Sequence, residues 1–342
     1  MNELNRRRFL KMSSAVAAGA ILSTPFVKTS WAADETLVLY NGQHAQTTKA
    51  LVEAFKKATG ITVDARKGSS SQLANQIIEE GAASPADLFY SEESPPVATL
   101  AEKGLLSPIA KATLSQIPKE YHAKDGTWLG ASSRCRVVAY NKDMIDAGKL
   151  PGSVLDFATS AWKDKVGFVP TSGAFQEQII AIEILKGRDA ALAWLKGLKE
   201  NGKIYNGNGA ALKAVENGDV ATALINNYYW FSLAKENGED KMKSALHYVG
   251  HQDPGALITV SAAGILKSSK KQETAQKFVE FMVSADGQQA IADSVAEYPV
   301  REGIKSPYKL LPFKEIGAPA VTPADLGDAA DALALRREAG LA

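Results

Sequence analysis

The sequence predicts an α/β protein of two lobes joined by strands that cross between them. Three observations predict it. Runs with strand character alternate with runs of helical spacing along most of the chain. The second half repeats this style without repeating the sequence, and no Pro/Gly/Ser-rich linker separates the halves. The length of 342 residues allows about two sizeable cores.

Thr36 to Tyr40 (TLVLY) is β-rich and predicts the first strand. Ala50, Leu51, Ala54 and Phe55 fall at helical spacing, which gives a helix over 47–59, closed by Gly60 as a C-terminal cap. The next strand is 61–65. Gly68-Ser69-Ser70-Ser71 then caps a helix over 72–80, and 87–90 (DLFY) is a short buried strand. In the second half 166–169 is a strand, and Thr171-Ser172-Gly173 opens a helix through Leu185. Residues 203–205 and 221–225 are strands flanking a helix over 210–216. Residues 258–265 read as a strand returning to the first sheet, 272–284 as an amphipathic helix, and the Ala- and Leu-rich tail 323–341 as a closing helix.

Residues 1–32 read as an address. Asn5 to Lys11 (NRRRFLK) precedes a mostly small apolar run from Met12 to Val27, and Ser30-Trp31-Ala32 supplies a small-residue exit. That order defines a bacterial export signal cleaved after Ala32. Its Arg6-Arg7-x-Phe9-Leu10-Lys11 core resembles the twin-arginine type. A membrane anchor is the alternative, but a run containing Gly19, Ser23 and Pro25 is too short and polar to span a bilayer. Arg6, Arg7, Arg8, Lys11 and Lys28 leave with the signal, so the mature chain is mildly acidic.

Composition narrows the chemistry. Lys plus Arg is 39 against 38 Asp plus Glu, without the basic excess of a nucleic-acid binder. Cys135 is the lone cysteine, which excludes an internal disulfide and any Cys-rich zinc or iron–sulfur site. The G-x-S-x-G, Walker A and H-E-x-x-H signatures are missing. Gly207-Asn208-Gly209 begins like a dinucleotide loop but lacks the third glycine. His247 and His251 are four apart, yet Val249-Gly250 between them and Asp253-Pro254-Gly255 after them read as a strand entering a turn. The expectation is a protein that is not an enzyme.

The unusual segment is Leu224 to Trp230 (LINNYYW), a buried strand ending in two amides and two adjacent phenols. One reading is an aromatic core cluster with amide caps. The other is a hard-oxygen site for ferric iron, since neighbours at a strand-to-helix junction can point the same way. The residues alone leave both open.

Five runs then carry a resemblance: Tyr40-Asn41-Gly42-Gln43-His44, Phe89-Tyr90-Ser91-Glu92-Glu93, Val169 to Phe175, Ala214 to Gly218, and Ile225 to Trp230. In order, and across essentially the whole mature chain, they resemble the bacterial periplasmic ferric-ion-binding proteins, the transferrin-like receptors of iron ABC transporters. The resemblance implies a class-II periplasmic binding protein with a hinge and a ligand cleft. One lobe would comprise 33–137 with 259–309, the other 138–258 with 310–342. It implies His44 and Glu92 as metal ligands from the first lobe, and Tyr228 and Tyr229 from the second. Ligands from both lobes mean that metal binding closes the cleft.

A synergistic anion, phosphate or carbonate, would complete the iron, cradled by Ser172, Gly173 and Ala174 at a helix start. Asn208 and Asn226 match the amide contacts to that anion. Each residue also has a plainer reading: a solvated His44, a surface Glu92, an ordinary N-cap at Ser172. Glu93 stands where relatives can carry glutamine, and would repel the anion unless protonated or turned away. Arg134 and Arg136, near the expected crossover, read as structural salt bridges, with a carbonate-favouring role as the alternative. The implied partners are a permease and an ATPase, with the receptor a periplasmic monomer that neither binds nucleic acid nor inserts in a membrane. The rival reading is the same fold binding another small solute, such as an organic phosphonate or polyamine.

Overall fold

The computed structural model describes residues 36–342, and the export-signal reading of 1–32 lies outside them. The strands are β1 (Leu37–Asn41), β2 (Val63–Lys67), β3 (Leu88–Ser91), β4 (Leu106–Ser107), β5 (Trp128–Asn141), β6 (Val166–Phe168), β7 (Lys203–Ile204), β8 (Thr222–Asn226), β9 (Ser244–His247), β10 (Ile258–Leu266) and β11 (Tyr298–Pro299). The helices are α1 (Ala45–Thr59), α2 (Ser70–Glu80), α3 (Ser94–Glu102), α4 (Lys111–Leu114), α5 (Gly173–Lys186), α6 (Arg188–Asn201), α7 (Asn208–Asn217), α8 (Asn227–Asn237), α9 (Gln272–Val283), α10 (Ala285–Ser294), α11 (Phe313–Ile316) and α12 (Ala330–Glu338).

The expected alternation is present, with local punctuation that follows from residue type. Gly60 ends α1 in the left-handed conformation at φ 79°, its N–H bonded to Lys56 O at 2.8 Å. Ser69 caps α2 by accepting the Gln72 N–H. The closing helix is shorter than its composition suggests. Pro323 opens a single 3-10 turn and Gly327 turns left-handed at φ 57°, so α12 begins only at Ala330. Among the described residues no helix is long and apolar enough to cross a membrane.

Strand order runs β2-β1-β3-β10-β5-β8-β6-β7. β1 is parallel to β2 and β3, and β10 is antiparallel to β3. Beyond β5, β8 is parallel to β6 and β6 to β7. β5 joins the two sets. Its first part, Trp128 to Cys135, pairs with β10, and its second part, Arg136 to Asn141, pairs with β8 and β9.

The sequence reading missed β5, and the reason is physical. A strand covered on both faces is normally a continuous apolar run. Here Ser132, Ser133, Arg134 and Arg136 interrupt it, all of them buried. Cys135, at the changeover, is buried too. Its thiol donates to the Arg136 carbonyl at 3.0 Å, and burial pushes its pKa up.

The two largest cores lie on either side of this changeover. One gathers β1, β3, α1, α2, α3 and α9, with Phe55 edge-on to Phe278 at 5.0 Å. The other packs α5, α6 and α12, where Phe175 stacks on Trp194 at 5.1 Å. A contact between α3 and α5 ties one to the other. The Ser94 N–H donates to Glu177 Oε1 at 3.4 Å, and the Ser94 hydroxyl to Pro323 O at 3.2 Å.

Glu177 is fully buried, and desolvation pushes its carboxyl up to about 7, against the pull of Arg134. The unfolded chain ionises this group from its ordinary 4.5, whereas the folded chain holds the proton until about pH 7. Its contribution is therefore complete below pH 4.5 and is lost as pH rises to 7. Glu177→Gln should remove a stability slope on the order of 3 kcal/mol across that window. Urea midpoints from pH 4 to 8 would read it, and an unchanged slope would mean that Glu177 ionises freely in the fold.

Candidate functional site

Every residue expected at the metal or its anion stands near a strand end or a helix start, where open α/β sheets place ligands. β1 runs into Gly42-Gln43-His44, and His44 directly precedes α1. The close approach of α2 requires glycine at 42. A Cβ there would overlap Ser70 Oγ and lie 2.9 Å from Ser70 Cα. Asn41 Oδ1 accepts the Gln43 N–H, and Gln43 Oε1 accepts the His44 N–H at 2.8 Å, so the turn is fixed from within.

β3 ends at Ser91, and Ser70 braces the two glutamates beyond it. The Ser70 hydroxyl accepts the Glu92 N–H at 3.0 Å and donates to Glu93 Oε2 at 3.4 Å. Across the cleft, β8 ends at Asn226 and α8 starts with Asn227, Tyr228 and Tyr229. Asn227 sets the pitch of that first turn. Its Oδ1 accepts the Cys135 N–H at 3.0 Å and its Nδ2 donates to Ala296 O at 2.9 Å.

The result is convergence. Tyr228 Oη donates to Glu92 Oε1 at 2.8 Å, and Glu92 Oε2 lies 3.9 Å from His44 Nδ1. The His44 ring stands edge-on to Tyr228 with centroids 4.9 Å apart, and the two tyrosine rings lie 4.4 Å apart at 37°. The first turn of α8 thus brings two adjacent phenol rings together, although successive helical residues normally point about 100° apart. His44 is 17% exposed and Glu92 29%, while Tyr228 is buried.

Burial, and then the Glu92 charge, raise the pKa of both phenols, and Arg134 opposes the shift. Protonated phenols release their protons only to a strongly charged cation. Among the described residues no three His, Cys, Asp or Glu side chains converge on one point. His247 contacts Pro151 O at 3.2 Å and His251 sits in a turn at φ 53°, so that pair forms no metal face.

Beside the phenols lies the start of α5. Ser172 makes no side-chain cap to its own helix; its Oγ accepts Asn208 Nδ2 at 3.1 Å, and the same amide reaches Tyr229 Oη at 3.3 Å. The first-turn N–H groups of Gly173 and Ala174 lack intrahelical acceptors by geometry. Glu93 is not turned away from them, since a Cβ on Gly173 would collide with Glu93 Oε1. Desolvation, with Glu92 and Glu177 nearby, pushes its carboxyl up to about 8, which keeps it neutral at pH 7. Asn226 Oδ1 accepts Arg136 Nη1 at 3.1 Å, which leaves its buried Nδ2 without a protein partner.

Arg134 and Arg136 depart from the salt-bridge expectation. Among the described residues neither has a carboxylate within 4.0 Å. Arg136 instead grips the amide oxygen of Gln178 with Nε and Nη2, at 3.2 and 3.1 Å. Desolvation lowers its pKa to about 10. Burial pulls Arg134 down as well, but the charges of Glu297 and Glu177 outweigh that and hold it above its ordinary value. The site roles of Ser70, Glu177, Gln178 and Glu297 escaped the sequence reading, which placed Ser70 only in a helix cap. Each is a single polar residue in an ordinary run, without a motif to mark it.

The chain is similar to known proteins over most of its length. Residues 50–310 match the model of the bacterial extracellular solute-binding proteins. It is 45% identical to the major ferric iron-binding protein of Neisseria meningitidis serogroup A, over 89% of this chain and 93% of that one. It is 40% identical to the Fe(3+)-binding periplasmic protein of Serratia marcescens, over 90% and 91%. Iron-bound HitA from Pseudomonas aeruginosa superposes with a TM-score of 0.87 at 54% identity, over 90% of this chain and 99% of that one. The chain therefore belongs to the bacterial extracellular solute-binding protein family, among the periplasmic ferric-ion-binding proteins of the class-II fold.

Proposed function

We propose that the protein captures ferric iron through His44, Glu92, Tyr228 and Tyr229, completes its coordination with an anion, and delivers it to an ABC permease. It is a periplasmic receptor of iron transport and not an enzyme. The observation that carries the ligand set is the meeting of α8's phenols with Glu92 and His44 at one point, Tyr228 Oη being 2.8 Å from Glu92 Oε1. Two phenolates, a carboxylate and an imidazole form a hard donor set suited to a trivalent ion. They leave an octahedral ion about two positions short, and an exogenous oxyanion fits that gap.

The anion's proposed contacts are the N–H groups of Gly173 and Ala174, the Ser172 hydroxyl, and the amides of Asn208 and Asn226. A neutral Glu93 adds a donor in place of a repelling charge. Phosphate and carbonate both suit this cradle. The lobes we assign are 33–137 with 259–309 and 138–258 with 310–342, so that the ligands divide between them and binding draws the cleft shut. The receptor works as a monomer with a permease and its ATPase.

Titrating the metal-free mature protein with ferric ion should raise a visible phenolate-to-iron charge-transfer band that saturates at one equivalent. Tyr228→Phe and Tyr229→Phe should each lose roughly half or more of it, since one phenolate of two is gone. Adding phosphate or carbonate should shift the band, and the anion that does so at lower concentration is the preferred one. A band unaltered in both variants would return the tyrosines to the core.

We further propose that export follows the twin-arginine route, with the protein already folded. Replacing Arg6 and Arg7 together by lysine should then empty the periplasmic fraction of mature protein. Normal export of the double variant would overturn that route while leaving the iron site untouched.

A further inference from the structure

A second cavity is lined by helices of both cores. It has a volume of about 380 Å³ and is walled by α2, α3, α5 and α12. Ala74, Pro96 and Leu333 supply apolar wall, and polar side chains including Asn75, Gln176, Asp328 and Arg336 interrupt it. That volume lies within the range of small-molecule sites.

Arg336 is the unusual member. It is 6% exposed, yet among the described residues no carboxylate lies within 4.0 Å of it. One nitrogen, Nη2, donates to the Leu341 carbonyl at 3.3 Å, while the buried Nε has no partner. Burial holds its guanidinium below its ordinary pKa. An enclosed cation of this kind costs free energy unless an anion joins it. Its planar fork matches a carboxylate in particular.

We propose that this cavity binds a small organic monocarboxylate, its carboxylate on Arg336 and its apolar body against Ala74, Pro96 and Leu333. Asp328 lines the same cavity, its Oδ1 accepting the Ala330 N–H at 2.9 Å, so an incoming anion meets a carboxylate as well as the guanidinium, and a dianion is opposed about twice as strongly as a monoanion. A phosphate dianion is disfavoured on that ground. The occupant would touch helices of both cores, since α2 and α3 belong to one and α5 and α12 to the other. The site is separate from the phenols and does not depend on the iron reading.

The test uses the whole mature protein carrying arginine labelled with ¹⁵N at Nε. Butyrate and benzoate are titrated in, with inorganic phosphate as the comparison oxyanion. Either carboxylate should move the Arg336 Nε–H resonance downfield and saturably, at concentrations at least tenfold below any effect of phosphate. Ala330→Trp fills the cavity from an exposed helical position and spares Arg336, and it should weaken the titration at least tenfold. Tyr228→Phe should leave it unchanged. The proposal is overturned if neither carboxylate moves the resonance, if phosphate acts as well, if Ala330→Trp has no effect, or if Tyr228→Phe abolishes binding.

Discussion

β5 must satisfy the backbone hydrogen bonds of two sheets, and the geometry of the cleft follows from that requirement. Its first part is committed to β10 and its second to β8 and β9, so the strand changes partners near Cys135. At that changeover the Cys135 N–H is taken by Asn227. The same side chain holds Ala296 O, so the start of α8 is tied to the strand that both sheets share. Two consecutive tyrosines can face one point because the turn that carries them is fixed there. On the opposite side Ser70 fixes the turn after β3, and Gly42 lets Ser70 come close enough to do it.

Charge is arranged around this frame in a way that suits an ion arriving from water. Two phenols, Glu92, Glu93 and Glu177 are gathered near two buried guanidinium groups. Glu93 and Glu177 are pushed up by desolvation, so at neutral pH most of the acidic groups there are proton-bearing. Arg136 bonds to neutral amide oxygens and keeps an unneutralised positive charge behind the tyrosines. That charge costs stability in isolation. In the iron-loaded state proposed above it would face phenolates and an anion, and part of the binding energy would then be prearranged in the protein.

Much of the fold could be read in the sequence because strand runs, glycine caps and helical spacing are local signals. Gly60, Ser69 and the 224–230 segment each announced an element boundary through residue type alone. β5 could not be read in that way. Its interior faces are polar, and a local pattern cannot tell a buried serine from a surface one. The four proposed ligands were legible because two adjacent phenols and an Asn-Gly-Gln-His turn are rare arrangements, and the resemblance gave them meaning. Ser70, Glu177 and Gln178 were not, since their roles arise from contacts with residues distant in the chain. The salt bridges expected of Arg134 and Arg136 failed for a related reason. Sequence places like and unlike charges near one another only along the chain, while burial decides which of them meet.

Cys135 has a practical consequence. It is wholly enclosed at the changeover of β5, its hydrogen bonded to a carbonyl and its thiolate disfavoured by desolvation. A thiol held in that state is a poor nucleophile toward alkylating reagents and oxidants. New cysteines can therefore be placed on the rims of the cleft and given fluorophores or spin labels while the native one stays in position. A distance across the cleft can then be followed as ferric ion is added, with β5 left as it is.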